Sequence, residues 1–112
     1  METLRQSKVS RMLQRELGDI FLKEKRHLLE GAMVTVTIVR ISRDFSVAKV
    51  YLSVFGINDK KTLLSKISAQ SKEIRHALGL KIKNQVRVIP ELHFHLDDSL
   101  DYIDHIDKLL ND

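Results

Sequence analysis

Residues 86–100 read Val-Arg-Val-Ile-Pro-Glu-Leu-His-Phe-His-Leu-Asp-Asp-Ser-Leu and decide the fold. The apolar and β-branched residues in this stretch predict a strand over Gln85–Leu96, and Asp98 or Ser99 is suited to cap a following helix. Pro90 is the only proline in the chain. Because proline has no backbone N–H, the strand must lie at the edge of a sheet or carry a bulge at this point.

The N-terminal segment predicts an amphipathic helix from Ser7 to Lys25, with Ser7 as its N-cap. Its apolar residues recur at helical spacing: Val9, Met12, Leu13, Leu17, Ile20 and Phe21.

Two β-branched segments follow, Met33–Ser42 and Val47–Phe55. The short connection Arg43-Asp44-Phe45 predicts an antiparallel hairpin. Strict alternation would place Val34, Val36 and Ile38 on one face of the first strand. In the second strand the predicted buried residues are Ala48, Val50, Leu52 and Val54.

The segment after Gly56 predicts two helices that meet at a bend near Ala69–Lys72, the first capped by Asn58 or Asp59. The element order is therefore helix, strand, strand, helix, helix, strand and a final helix. This order predicts an α+β fold, a two-layer sandwich with helices on one face of a three-stranded sheet.

Charge is distributed unevenly along the 112 residues, whose net charge is +4. Residues 97–112 carry six Asp and one Lys, whereas residues 1–96 carry 18 Lys and Arg against nine acidic residues. The basic body predicts attraction to a polyanion such as nucleic acid. There is no cysteine, no apolar stretch of transmembrane length and no apolar signal core at the N-terminus, so we expect a cytoplasmic protein.

Two motifs resemble those of the ribosome-binding factor A family. One is Pro90-Glu91-Leu92-x-Phe94 followed by Asp-Asp-Ser, and the other is the hairpin Ile41–Ser53, ISRDFSVAKVYLS. The resemblance implies a type II KH-like fold, in the order α-β-β-α-α-β plus a C-terminal helix. It divides the chain into a KH-like RNA-binding domain, residues 1–96, and an acidic C-terminal helix, residues 97–112, packed on or extending that domain.

The resemblance also implies a non-enzymatic assembly factor without cofactors. Such a factor binds the immature small ribosomal subunit and its ribosomal RNA during late maturation and 5′-end processing, as a monomer released with the help of a GTPase. The basic residues that we expect to contact RNA phosphates are Lys8, Arg11, Arg15, Arg43, Lys72, Arg75, Lys81 and Lys83.

The chain departs from RNA-binding KH domains at the bend between its two central helices. No Gly-x-x-Gly pair occurs, and the Ala-x-Gly bend of the family aligns near Ala69-Gln70-Ser71-Lys72, where the glycine is missing. Exposed aromatic residues that could stack on bases are few, with Tyr51 and Phe45 as the candidates. We therefore expect recognition of RNA shape and backbone more than of sequence.

Three alternatives stay open at this stage. The edge strand near Pro90, or the acidic last helix, could serve a protein–protein adaptor that does not bind RNA. His93 and His95 share a strand face and, with His105, could begin a zinc site. A small metal-dependent hydrolase would need a bound metal, and the aspartates at the C-terminal end are better explained by helix capping.

Overall fold

The computed structural model describes residues 3–97. Within this range lie three α-helices and three strands. The helices α1, α2 and α3 span Leu4–Lys23, Lys60–Ala69 and Ser71–Ile82; the strands β1, β2 and β3 span Met33–Ile41, Val47–Phe55 and Glu91–Leu96; a short 3-10 helix spans Arg26–Leu29. The expected C-terminal helix and its caps lie outside the described residues.

The sheet has the order β1-β2-β3, with β2 antiparallel to β1 and parallel to β3. All three helices contribute buried residues to one core, such as Leu17 from α1, Ile67 from α2 and Leu78 from α3. They cover one face of the sheet, with α1 over β1 and with α2 and α3 over β3. In the central strand β2, the expected buried residues Ala48, Val50, Leu52 and Val54 are found. The predicted two-layer α+β architecture is therefore confirmed.

Helix α1 begins one turn earlier than its sequence pattern suggested. The N-cap is Thr3 and not Ser7: its Oγ1 accepts a bond of 3.1 Å from the Gln6 N–H, and Gln6 Oε1 accepts one of 2.8 Å from the Thr3 N–H. This reciprocal pair satisfies two donors at the helix start. Gln6 Nε2 also donates to the buried Ile41 carbonyl at 3.1 Å, a tertiary bond that the local pattern does not reveal. The helix ends at Lys23, before the expected Lys25.

The predicted alternation along β1 is wrong beyond Val36. The pairing with β2 shifts between Val36 and Ile38, so the residues that reach the core are Val36, Val39 and Ile41, while Ile38 is 42% exposed. A β-bulge inserts one extra residue and so reverses the face of every later side chain. Strict alternation could not show it.

Strand β3 is shorter than predicted. Residues 85–90 form a loop, and the strand begins at Glu91. The Arg75 guanidinium on α3 binds the carbonyls of this segment: Nη2 donates to Ile89 at 2.7 Å, and Nε donates to Ile89 and Pro90 at 3.2 Å each. Pairing with the hairpin begins only when the Glu91 N–H reaches the Ser46 carbonyl at 2.8 Å. The expected edge position of this strand is confirmed.

The bend between the central helices is also confirmed, since Gln70 separates α2 from α3. Asp59, one of the two expected caps, accepts a bond of 3.1 Å from the Thr62 N–H at the start of α2.

The turn between β1 and β2 is organised around the Asp44 carboxylate. Its Oδ1 accepts from Ser42 Oγ at 2.8 Å, from the Ser46 N–H at 3.1 Å and from Ser46 Oγ at 2.7 Å. The Ser46 and Ser42 hydroxyls, which bind the charged form, lower the pKa of Asp44 to about 2. The next residue, Phe45, has a φ of 62°, in the left-handed region that bulky residues rarely adopt.

We expect Asp44→Asn to lower the free energy of unfolding at neutral pH, and the gap from the parent protein to close in acid. The pKa of Asp44 is lower in the fold than its ordinary value of 3.8. The stabilisation from its charge is therefore complete above pH 3.8 and disappears as the pH falls towards about 2. Urea denaturation of both proteins across this range measures the gap, and a gap that stays constant down to about pH 2 would contradict the assignment.

We expect Arg75→Met to lower the free energy of unfolding by about 1 kcal/mol, because the loop before β3 loses its charged donor. Lys72→Met, one turn earlier on the same helix, is the matched control and should change stability by less than about 0.5 kcal/mol. Chemical denaturation compares the two. Equal effects of both substitutions would show that the Arg75 contacts do not stabilise the fold.

Candidate nucleic-acid interface

Three of the expected cations converge on one face of α1. Lys8, Arg11 and Arg15 are exposed and lie three and four residues apart, so their side chains follow one another over about 10 Å of the helix. They line a single groove whose apolar floor includes Met12 and whose far side is Gln85, in the loop after α3. We call Lys8, Arg11 and Arg15 the α1 strip.

The positive charge of the α1 strip is barely compensated. Within residues 3–97, neither Lys8 nor Arg11 forms an ion pair. Arg15 Nε lies 3.4 Å from Glu16 Oε1, but the Arg15 side chain is 74% exposed, and a pair so exposed to water is weak. The strip is therefore open to an anionic partner.

Lys81, by contrast, is held by the protein itself. Its Nζ lies 3.2 Å from Asp19 Oδ2, and Lys23 Nζ lies 3.1 Å from Asp19 Oδ1. The bonds from Lys23 and Lys81 lower the pKa of Asp19, and the bond to Asp19 raises the pKa of Lys81. This ion pair joins the late parts of α1 and α3, which run antiparallel side by side.

Lys72 and Arg75 lie on α3, which borders a groove of mixed charge beside the end of α1. That groove includes Lys72 together with Glu24 and Glu73, and Glu73 pairs with Lys25 at 3.1 Å. Arg75 is exposed, but its guanidinium is occupied by the loop before β3, as described above. Arg75 is thus held by backbone carbonyls. Lys72 shares its groove with both acidic and basic side chains and forms no ion pair within residues 3–97.

The remaining two expected residues do not line the groove of the α1 strip. Arg43 is exposed on the β1–β2 turn, and Lys83 is exposed directly after α3. Neither forms an ion pair within the part of the chain that the structure describes.

Sequence reasoning missed two further cations beside the α1 strip. Arg5 lies one turn before Lys8, upstream of the helix start predicted at Ser7; the Thr3-x-x-Gln6 capping signal would have placed it on the helix. Arg40 of β1 lines a shallow groove together with Arg11, a neighbourhood that only the packing of α1 on the sheet creates.

The two aromatic candidates occupy opposite sides of the sheet. Tyr51 is half-buried on the open face and stacks on His95 with ring centroids 5.3 Å apart. Phe45 is half-buried beside α1, with the Arg5 guanidinium 5.4 Å from its ring centroid.

The histidines considered as an alternative zinc site are not grouped with further metal-ligating side chains within residues 3–97. His93 lies 3.7 Å from Glu91 and His95 stacks on Tyr51, while His105 lies outside the described residues. Across residues 3–97 no group of three or more His, Cys, Asp or Glu side chains could hold a metal ion.

The helices in the same range are all too short or too polar to span a membrane.

Known proteins resemble this chain over nearly its whole length. Residues 5–110 match the family described as ribosome-binding factor A. Proteins of that name are 48% identical in Cytophaga hutchinsonii, over 99% of this chain and 84% of the relative, and 41% identical in Chlorobaculum tepidum, over 96% and 89%.

Solved structures show the same fold. The crystal structure of ribosome-binding factor A from Thermus thermophilus is 25% identical, with a TM-score of 0.69 over 81% of this chain and 94% of that one. A homology model of the Thermus protein, fitted into the cryo-EM map of a 30S–ribosome-binding factor A complex, is 27% identical, with a TM-score of 0.61 over 79% and 90%. The fold, the hairpin motif and these similarities agree: the chain belongs to the ribosome-binding factor A family.

Proposed function

We propose that this protein binds the immature small ribosomal subunit in the cytoplasm, through the backbone of its ribosomal RNA. The observation that carries the proposal is the α1 strip, a row of exposed cations almost free of acidic partners. Family membership supports it, because a Thermus relative has been fitted into a map of a complex with the 30S subunit. Each phosphate that the strip contacts would release counterions and so favour binding.

The contacts divide into a primary and a secondary group. Lys8, Arg11 and Arg15 are the primary phosphate contacts, because they share one groove. Arg43, Lys72 and Lys83 add to the positive field from neighbouring elements. Arg75 and Lys81 can contribute long-range attraction, but a direct phosphate contact would require them to give up bonds that they make within the protein.

The proposed action on the subunit is differential binding. A protein can shift an RNA equilibrium only if it binds one conformer more tightly than the other. A rigid row of cations on one helix matches a fixed spacing of phosphates and therefore favours the RNA conformer that presents this spacing. No catalytic group takes part in this proposal, in which the protein assists maturation and 5′-end processing of the RNA and then dissociates.

Other parts of the assignment stay predictions. They are the release by a GTPase, the monomeric state, and the division into an RNA-binding domain, residues 1–96, and an acidic C-terminal helix, residues 97–112.

A protein–protein adaptor is the second candidate function. Strand β3 lies at the edge of the sheet, where an extended peptide could add a strand. Binding of this kind depends on backbone hydrogen bonds and apolar contacts, and it should respond little to salt.

We expect the double variant Lys8→Glu/Arg11→Glu to bind small subunits at least about tenfold more weakly, because it replaces two phosphate contacts with repulsion. Co-sedimentation with immature small subunits at physiological salt measures the loss.

The matched control is Lys49→Glu/Lys61→Glu, which changes net charge equally at two exposed positions on the sheet and on α2. It should bind nearly as well as the parent protein. If the α1 double variant bound as tightly as this control, the α1 strip could not be the RNA contact.

We also expect affinity for the subunit to fall steeply with salt, since counterion release drives the contact. The slope of log affinity against log salt should become shallower by roughly 1.5 to 2 in a Lys8→Ala/Arg11→Ala variant, which removes two phosphate contacts. A titration of both proteins measures the slopes. A parent affinity that hardly changes with salt would favour the adaptor.

A further inference from the structure

A separate cavity of about 240 Å³ opens beside the α1 strip. Three elements enclose it: the start of α1, the β1–β2 turn and the loop before β3. Its apolar walls are Val9, Phe45, Val86 and Val88, and Val88 is 48% exposed. Binding sites for small molecules commonly occupy roughly 300–1,000 Å³, so this cavity suits a single planar ring system and not a larger ligand.

Three charged side chains, Arg5, Asp44 and Arg87, line the cavity beside its apolar walls. Arg5 lies over the Phe45 ring, with 5.4 Å between the guanidinium carbon and the ring centroid, so a planar cation and an aromatic ring meet at the cavity. All three bonds from Ser42 and Ser46 go to Asp44 Oδ1, and none of them uses Oδ2. The site therefore combines stacking surfaces, a carboxylate acceptor and a cationic donor.

Phe45 has a backbone conformation that aromatic residues disfavour, and hydrogen bonds of the turn hold it there. Its φ of 62° is unfavourable for an aromatic residue, and such strain persists only where the surroundings impose it. Here the Phe45 N–H donates to the Ser42 carbonyl at 3.0 Å, and the Val47 N–H donates to Ser42 Oγ at 3.0 Å. Together with Asp44, these bonds fix the turn so that the ring faces the cavity.

The cavity adjoins the proposed RNA contact. Val9 and Gln85 line both this cavity and the groove of the α1 strip. A nucleotide whose phosphate lies on Lys8 or Arg11 would therefore have its base within reach of Phe45.

We propose that the cavity receives one unpaired base of the ribosomal RNA, stacked against Phe45 and Arg5. This inference rests on the proposed RNA binding and adds a base contact to a surface otherwise built for phosphates. Asp44 accepts hydrogen bonds from base N–H groups, and Arg87 donates hydrogen bonds to oxygen or ring-nitrogen acceptors of the base. Insertion of a base would favour RNA conformers in which that base is already unstacked.

Nuclear magnetic resonance of the full ¹⁵N-labelled chain tests the cavity directly. The probes are the four ribonucleoside 5′-monophosphates, and ribose 5-phosphate is the base-free control. The nucleotides should shift the amide signals of Phe45, Val86 and Val88, whereas ribose 5-phosphate should shift only signals near Lys8 and Arg11. Absent or equal shifts of the cavity signals with nucleotides and with ribose 5-phosphate would overturn the proposal.

Substitutions then test the cavity on the subunit itself. Phe45→Leu keeps an apolar side chain but removes the ring, and Phe45→Gly also removes the backbone strain. Each should weaken co-sedimentation with small subunits about tenfold, the effect of one lost base stack, and leave the salt slope unchanged. Phe55→Leu, an exposed aromatic residue on the open face of the sheet, is the matched control and should bind normally.

The two proposals fail in distinguishable ways. If Phe45 variants bind like the Phe55 control while Lys8→Glu/Arg11→Glu loses binding, the base site is wrong and the phosphate contact stands. If the Lys8→Glu/Arg11→Glu variant also binds normally, the proposed function itself is wrong.

Discussion

The packing of α1 against the sheet is the constraint on which the rest of this structure depends. Leu13, Leu17 and Ile20 are completely buried, and Phe21 is 1% exposed. Once this stripe is buried, helical geometry leaves no freedom for the opposite side, and the α1 strip must face outwards. The hydrophobic core therefore sets the orientation of the charges that we propose for RNA binding, although none of those charges contributes to the core.

Ion pairing along the α1–α3 contact decides which cations remain available. Asp19 forms ion pairs with Lys23 and Lys81, and Glu73 forms one with Lys25. The half of the contact near the end of α1 is therefore close to neutral. The half formed by the start of α1 and the loop after α3 keeps its positive charge. The basic surface is thus narrower than the composition suggests, and it lies next to the turn that carries Phe45. This adjacency gives the interface both a charged row and a small aromatic cavity.

The fold was largely accessible from the sequence, because most of its information is local. Alternation predicted β2 without error in its bounds, and helical spacing found all three helices in the described range. The errors arose where a tertiary contact overrides the local pattern. The bulge in β1 reverses the exposure of Ile38, and β3 does not extend before Glu91 because its partner β2 begins at Val47, directly after the turn. The early start of α1 is an exception, because the sequence contains a local capping signal, Thr3-x-x-Gln6, from which this start could have been predicted.

What the sequence determined by itself is the order of elements, the basic body, and the row of cations on α1, since each follows from spacing along one segment. Tertiary structure alone decided which other cations stay free. The sequence does not distinguish Lys81 from Lys8. In the fold, Asp19 from another helix pairs with Lys81, whereas Lys8 forms no ion pair within residues 3–97. The cavity at Phe45 likewise exists only where three segments meet. Charge pairing and cavities depend on distances across space, and a linear pattern does not contain those distances.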